Sequence, residues 1–482
     1  MPYDNFDLAT AARQEMIDHG FAPDFPPEAE RQLAAIQPRP EPGLRDLTGL
    51  LWSSIDNDDS RDLDQIEWAE RAADGIRVLV GVADVDSLVG KGTPIDAHAA
   101  QETTTVYTGV RTFPMLPERL STDLTSLNED QERAAVVIEM MLAADGSVAK
   151  SSIYRARVRN RAQLAYSGVG AWLEGTGPAP AKVAASAELA AQLKLQDEAA
   201  GLLREARHRL GALTFDRLEA QPVFADGKVQ DITARTSNRA AHLIEDFMIA
   251  ANEVMASTLR SAGVSSIRRV VKEPERWPRI VELASQHQDT LPAAPDPGAL
   301  NAFLQRRKAA DPVHYADLSL AVLKLMGPGE YVLMRPGDPP QGHFGLAAHD
   351  YTHSTAPNRR FADMVTQRLI KAHAAGAGAG YTDDELDEIA KNCTLKEDAA
   401  RKVERAMTKR MAAVALQHRI GETFQAVVTG NTPKGVFVRI SDPPVEGRVM
   451  RGEQGLDVGE SLRVKLLSTD PQRGYLDFGR VS

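Results

Sequence analysis

The densest chemical signal in the chain is "SIDNDDSRDLDQIEW", Ser54 to Trp68, where Asp56, Asp58, Asp59, Asp62, Asp64 and Glu67 share the stretch with a single cation, Arg61. An apolar run, Leu50, Leu51 and Trp52, precedes it, so the acidic loop is expected to leave a buried strand. Carboxylates this close repel one another and raise one another's pKa values unless a cation neutralises them. Three chemistries fit the pattern. A charge run is most often a solvated loop. The spacing also matches an EF-hand calcium loop that starts at Asp56 and ends at Glu67, although Arg61 stands where such a loop needs glycine and no helical period precedes it. Finally, aspartates converging from a bent strand can hold two magnesium ions about 4 Å apart, one on the attacking and one on the leaving oxygen of a phosphodiester. Taken alone, the stretch does not choose among them.

A second motif bears on the choice: "HFGLAAHDYTHSTAPNRRFADMVTQR", His343 to Arg368. Arg359 and Arg360 follow a proline-containing turn and precede an amphipathic helix, an arrangement suited to bidentate contact with phosphate oxygens. The structural alternative is that both pair with nearby aspartates such as Asp363. His343, His349 and His353 have no standard zinc spacing and no HExxH, so they are read as hydrogen-bonding residues. The chain has no G-x-S-x-G and no phosphate-binding Walker loop, and its lone cysteine, Cys393, sits in a charged helix. A serine or cysteine nucleophile and ATP-driven work are therefore not expected.

The elements that must position these residues follow from the rest of the sequence. At 482 residues the chain is long enough for more than one domain. Its formal net charge of −11 gives no global pull toward nucleic acid, but the C-terminal third carries basic clusters in "NRRFADMVTQRLIK" and "RKVERAMTKRMAAVALQHR". One cysteine excludes an internal disulfide. With no signal pattern at the N-terminus and no apolar run of membrane-spanning length, the chain reads as cytoplasmic. Residues 1–45 read as two short helices followed by a proline-rich linker, Pro38 to Gly43. Strand patterns occupy about 46–160, including "IRVLVGVADV" and "RAAVVIEMML". Helical patterns then dominate up to about residue 416. Residues 419–482 carry short β runs with turns every 8–12 residues, the mark of a small barrel. The expected class is α+β.

At this point the residues resemble a known family, the ribonuclease II/R exoribonucleases or RNB family. "IDNDDSRDLDQ" is similar to its metal motif, and "YTHSTAPNRRFADMVTQR" to its arginine signature. "VGVADVDSLVGKGTPIDAHA" and "FPMLPERLSTDLTSLNED" resemble two further blocks in the family's order. The resemblance spans roughly 48–415, and 419–482 resembles the S1-type OB-fold RNA-binding domain that follows the catalytic domain. It implies an RNB catalytic domain of mixed sheet and helices over 46–416. It also implies magnesium-dependent, processive hydrolysis of single-stranded RNA from the 3′ end to nucleoside 5′-monophosphates, by a monomer needing neither membrane nor ATP. Two magnesium ions are implied, with manganese as a substitute. Carried over, Asp56, Asp62 and Asp64 match metal-binding aspartates, with Gln65 next to them. Arg359 matches the arginine needed for cleavage and Arg360 its basic neighbour. Tyr107 and Tyr166 match RNA-contacting tyrosines, Phe215 a residue that clamps the terminal bases, and Glu245 one that grips the last sugar. In the barrel, Phe437 and Phe424 are the candidate stacking surfaces, with Lys434 and Arg439 beside them; a core role for one of the two rings is equally open.

Three departures matter. The family's acidic run ends in two adjacent aspartates, whereas Gln65 stands second here, which predicts weaker binding of one metal. Asn358 replaces the usual isoleucine before the arginines, and Ser354, Thr355 and Ala356 replace Phe-Thr-Ser. The segment before Asp56 is too short for the two cold-shock barrels usual in the family, and a helical, helix-turn-helix-like unit is expected in their place. Gln65 is also the one feature favouring an alternative, a non-catalytic RNA-binding protein on a decayed RNB domain.

Overall fold

The computed structural model describes residues 6–37, 41–215, 219–225, 228–312, 315–378 and 380–481. The first three residues of the expected linker lie outside them. Two helices open the chain, α1 (Leu8–Asp18), capped by the Asp7 carboxylate, and α2 (Pro27–Ala35). Their positions agree with the sequence pattern, but they do not form a unit of their own. α1 buries Ala12 and Met16 against Val403 and Met407 far along the chain, while the Ile95 N–H donates to Gln32 of α2.

The central sheet contains β1 (Arg45–Asp46), β2 (Trp52–Asp56), β3 (Gln65–Ala72) and β4 (Gly75–Ala83). After helix α3 (Pro94–Glu102) and the hairpin β5 (Val106–Tyr107) and β6 (Thr112–Phe113), it continues with β7 (Glu132–Leu142) and β8 (Val148–Ala165). The order is β1-β8-β2-β3-β4-β7, and β7 also pairs with β8, so the sheet curls back on itself. β8 makes this closure possible because it is 18 residues long. Its first part pairs antiparallel with β7 and its last part parallel with β2. β2 and β3 run antiparallel with the acidic loop between their ends.

Helices cover the sheet: α4 (Tyr166–Leu173), α5 (Ala181–Ala184), α6 (Ala187–Arg209) and, after the hairpin β9 (Glu219–Ala225) and β10 (Lys228–Arg235), α7 (Arg239–Ser261). The Asn238 side chain caps α7, and Leu243, Phe247, Ala250, Val254 and Leu259, spaced three to five apart, bury its inner face. A second, smaller core gathers around Trp277 and Phe303, formed by α8 (Trp277–Gln286), α9 (Pro297–Ala310) and α10 (Tyr315–Met326). The ribbon β11 (Ser266–Val270) and β12 (Glu330–Met334) joins it to the arginine turn and α11 (Phe361–Ala374).

The last long element is α12 (Asp383–Ala415), 33 residues, which starts with a capping box between Thr382 and Glu385. It ends inside the C-terminal barrel: Met411, Ala412 and Leu416 belong to the same core as Val438 and Phe478. The barrel strands are β13 (Thr423–Thr432), β14 (Gly435–Ile440), β15 (Glu446–Arg451), β16 (Ser461–Asp470) and β17 (Tyr475–Arg480), closed in the order β13-β14-β15-β17-β16. The short β runs expected over 419–482 form these strands. Among the described residues no helix is long and apolar enough to cross a membrane.

Candidate active site

Asp56 closes β2, where its carboxylate accepts hydrogen bonds from the Asn57 N–H at 2.7 Å and the Ser60 hydroxyl at 2.9 Å. The loop then runs out to Asp58 and Asp59, both exposed, and Ser167 of α4 donates to Asp58. It is drawn back inward by Ser126, whose hydroxyl accepts the Leu63 N–H and donates to the Arg61 carbonyl. Asp64 lands in the interior with 1% of its surface exposed. A strand precedes this loop and a strand follows it, and Glu67 is fully buried within β3. The EF-hand reading therefore fails: its twelfth position cannot swing to a cation from inside a strand ladder. The solvated-loop reading holds only for the tip.

The second motif comes to meet it. The Asn358 N–H donates to Asp64 Oδ1 at 2.9 Å, and Arg359 Nε donates to Asp64 Oδ2 at 3.1 Å, across 294 and 295 positions of sequence. The turn that aims them is built around Asp363. This carboxylate, with no exposed surface, accepts the Ala356 N–H at 2.8 Å and two bonds from the Arg360 guanidinium at 2.9 and 2.8 Å. Asn358, a departure from the family pattern, has a definite place: its side-chain oxygen accepts the Thr125 hydroxyl at 2.5 Å. The backbone of this turn is also zipped to the segment ahead of Tyr107. The Thr105 N–H donates to the Arg359 carbonyl at 3.0 Å and the Phe361 N–H to the Thr103 carbonyl at 2.8 Å.

Burial dominates the electrostatics. It pushes the Asp64 carboxyl up to about 7, against the lowering pull of Arg359 and the Asn358 N–H, while Asp62 adds to the rise. Burial raises Asp56 as well, opposed by its two hydrogen bonds and by Arg359, with Asp62 again raising it. Arg359 keeps 43% of its side chain exposed, so it remains open to a substrate phosphate. Asp62 accepts the Tyr107 hydroxyl at 2.9 Å. Gln65 starts β3, is 6% exposed, and its side chain has no hydrogen bond among the described residues. Among the described residues no three His, Cys, Asp or Glu side chains are gathered tightly enough to close a metal site as they stand. The donor set nonetheless fits a hard cation: oxygen ligands only, two of them carboxylates, Asp56 and Asp64, raised by burial and by the charge of Asp62, which a divalent ion would offset.

The remaining expected residues are more dispersed. Tyr107, in the β5–β6 hairpin, is 42% exposed. Tyr166 opens α4, half-buried, and its carbonyl accepts from Asn238. Phe215 packs against the Trp277 core, the role that core packing predicts for such a ring. Glu245 is exposed on α7. Arg360, expected among the RNA contacts, has its guanidinium engaged by Asp363, which is the structural alternative weighed for it. In the barrel, strand alternation separates the two phenylalanines. Phe424 is buried in the core, edge-on to Phe478, and Phe437 is half-exposed with Arg448 as its cross-strand neighbour. Arg439 pairs with Asp317 of α10 rather than standing free. The expected basic cluster on α11 is likewise an internal network: Arg368 holds Asp86, Asp96 and the Tyr381 hydroxyl, and Lys371 holds Asp84 and Asp86. His343 accepts the Leu346 N–H and His353 is bonded to the Tyr331 hydroxyl, consistent with the hydrogen-bonding reading.

Two features escape the spacing argument. Glu67 is fully buried with neither carboxylate oxygen hydrogen-bonded among the described residues, and burial followed by the nearby Asp56 charge raises its pKa well above the ordinary range. The Tyr107 hydroxyl on Asp62 links two residues that the sequence offers only as separate candidates.

Comparison with known proteins gives the following. The family model described as RNB domain matches residues 44–376, and that described as RNase II-type exonuclease C-terminal S1 domain matches 422–481. Ribonuclease R of Thermotoga maritima is 29% identical over 495 residues, covering 94% of this chain and 68% of that protein. Ribonuclease R of Escherichia coli is 28% identical, covering 92% of this chain and 56% of that protein. The chain thus spans roughly three fifths of its curated relatives' length. Among solved structures, Mycoplasma genitalium RNase R in complex with ribose-methylated single-stranded RNA superposes with a TM-score of 0.88 at 22% identity, over 99% of this chain and 78% of that one. Yeast Ssd1, a pseudonuclease, does so with a TM-score of 0.73 at 18% identity, over 97% of this chain and 58% of that one.

Proposed function

Because the chain belongs to the RNB family, we propose that it is an exoribonuclease, one that hydrolyses single-stranded RNA processively from the 3′ end and releases nucleoside 5′-monophosphates. It works in the cytoplasm as a monomer, without ATP. The single observation that carries this reading is the meeting of Asp64 with Arg359 and the Asn358 N–H at one point. Asp56, Asp62, Asp64 and the Gln65 amide oxygen would hold magnesium, with manganese as a substitute; when bound, the metal activates water and neutralises charge on the phosphate oxygens. Arg359, fixed by its turn yet open to solvent, is the group that meets the charge developing on the phosphate. A preorganised donor of this kind contributes on the order of 10²–10³ in rate.

The other residues bind and orient. Tyr107 offers an exposed ring to the terminal base, and stacking of this kind is worth about 1–3 kcal/mol regardless of sequence. Glu245, exposed on α7, would read a ribose 2′-hydroxyl, the group that separates RNA from DNA. Tyr166 would contact the RNA and Phe215 would clamp the terminal bases, each from a half-buried site, and Phe437 with Lys434 would give the barrel a stacking and phosphate-binding face. The alternative, a non-catalytic RNA binder, has Gln65 in its favour. One assay separates them. With 5′-labelled single-stranded RNA and magnesium, the enzyme shortens the labelled strand from the 3′ end and releases mononucleotides, and EDTA stops it. Intact RNA of shifted mobility would select the binder.

A further inference from the structure

We propose that the Tyr107 hydroxyl positions Asp62 for metal binding, so that the ring receiving the terminal base also sets the geometry of a metal ligand; this rests on the function proposed above. The three aspartates are not held alike. Asp56 is fixed by a backbone N–H and the Ser60 hydroxyl, and Asp64 by the Asn358 N–H and Arg359. Asp62 lies in the irregular loop between β2 and β3, outside any ladder, and among the described residues its carboxylate accepts one hydrogen bond, from Tyr107 Oη at 2.9 Å. That bond engages Oδ2 and leaves Oδ1 for a cation.

Tyr107 is itself firmly placed. Its backbone N–H donates to Glu404 Oε1 of α12 at 3.2 Å. Its neighbour Val106 and the hairpin partner Phe113 are buried in one cluster with Met16 of α1 and Val403 of α12. The segment just before it is bonded to the backbone of Arg359 and Phe361. One short hairpin therefore touches the acidic loop, the arginine turn and the open space where a base can lie. A base that seats on the ring steadies the hydroxyl and with it Asp62. By reciprocity, a bound metal that fixes Asp62 steadies the ring and tightens RNA binding.

Tyr107→Phe isolates the hydroxyl because the ring remains. Outer partners of metal ligands are typically worth about 10–100-fold in metal affinity. Calorimetric titration of the full chain with magnesium chloride should show binding about tenfold weaker in Tyr107→Phe than in the parent. Affinity for a single-stranded RNA in EDTA should fall less in Tyr107→Phe, which keeps the ring, than in Tyr107→Ala, which loses it. In an Asp62→Ala background, which removes the acceptor, Tyr107→Phe should add almost nothing, since both act through one contact. Parental magnesium affinity in Tyr107→Phe, or full additivity with Asp62→Ala, overturns the inference. If the parent cleaves RNA with magnesium, such a result removes the inference alone. A parent that neither binds magnesium nor cleaves RNA removes the proposed function along with it.

Discussion

Asp363→Ala removes the pivot of the arginine turn without touching any residue placed on RNA or metal. Asp363 is fully buried and accepts three hydrogen bonds, two from Arg360 and one from the Ala356 N–H. Breaking a buried ion pair by deleting one partner costs about 3–5 kcal/mol, because the other charge is left uncompensated. Here a quarter of the Arg360 side chain reaches solvent, so part of that cost is relieved. Leaving the Ala356 N–H unpaired adds about 1–3 kcal/mol. A total near 4 kcal/mol follows, read as the fall in unfolding free energy by urea titration of parent and variant. Asp363→Asn keeps an acceptor for Ala356 and should lose about half as much. Cleavage should suffer beyond the stability loss, since the Ala356 carbonyl also accepts the backbone N–H groups of Arg359 and Arg360, and the turn aims Arg359 at the site. A stability loss below about 1 kcal/mol together with parental cleavage would refute the claim that this carboxylate organises the turn.

Other perturbations test other parts of the site. Gln65→Asp should lower the magnesium concentration giving half-maximal cleavage; an unchanged requirement would show that the amide costs nothing. Arg359→Ala should lower kcat by about 10²–10³ while RNA affinity in EDTA changes little, and Arg359→Lys should rescue it poorly because an ammonium lacks the planar fork. Equal loss of kcat and RNA affinity would instead make Arg359 a binding residue. Glu67 has its pKa raised by burial, so the folded chain keeps a proton that the unfolded chain releases above the ordinary carboxylate pKa, and stability falls as pH climbs through that window. Glu67→Gln should therefore gain on the parent steadily between pH 4.5 and neutrality in metal-free urea titrations. A gap that stays constant with pH would show that Glu67 is ionised in the fold.

The parts of this architecture that were legible are those where residue type and order are enough. The acidic loop and the arginine turn announce themselves because few chemistries use so many carboxylates or paired arginines. The helices α7, α11 and α12 show their 3.6 period, and the five barrel strands show alternation between turns. β8 did not stand out, because "YRARVRNRAQ" alternates with arginines and reads as surface; only the closed sheet explains why it is a strand. The small core of α8 to α10 was also missed, its periodicity broken by "EPERWPR" and "PAAPDPG". Pairing is the harder limit. Sequence could not tell whether Arg360 meets RNA or Asp363, nor which barrel phenylalanine faces inward, since both depend on contacts made between distant segments. Asn358 reads in the sequence only as a departure from the family pattern; its contact with Thr125 depends on the fold.

The long helix α12 ties the Tyr107 hairpin to the barrel. Near its middle Glu404 holds the Tyr107 backbone, and at its end Met411 to Ala415 are built into the barrel core, with the Gly474 turn pressed against Lys409 and Arg410. Over 33 residues it is a rod of about 50 Å. Each residue inserted or deleted between Glu404 and Met411 therefore rotates the barrel by about 100° and slides it by about 1.5 Å relative to the hairpin. The angular setting of the terminal module is thus written in a residue count, and barrels exchanged between relatives should dock in phase only when their helices differ by whole turns.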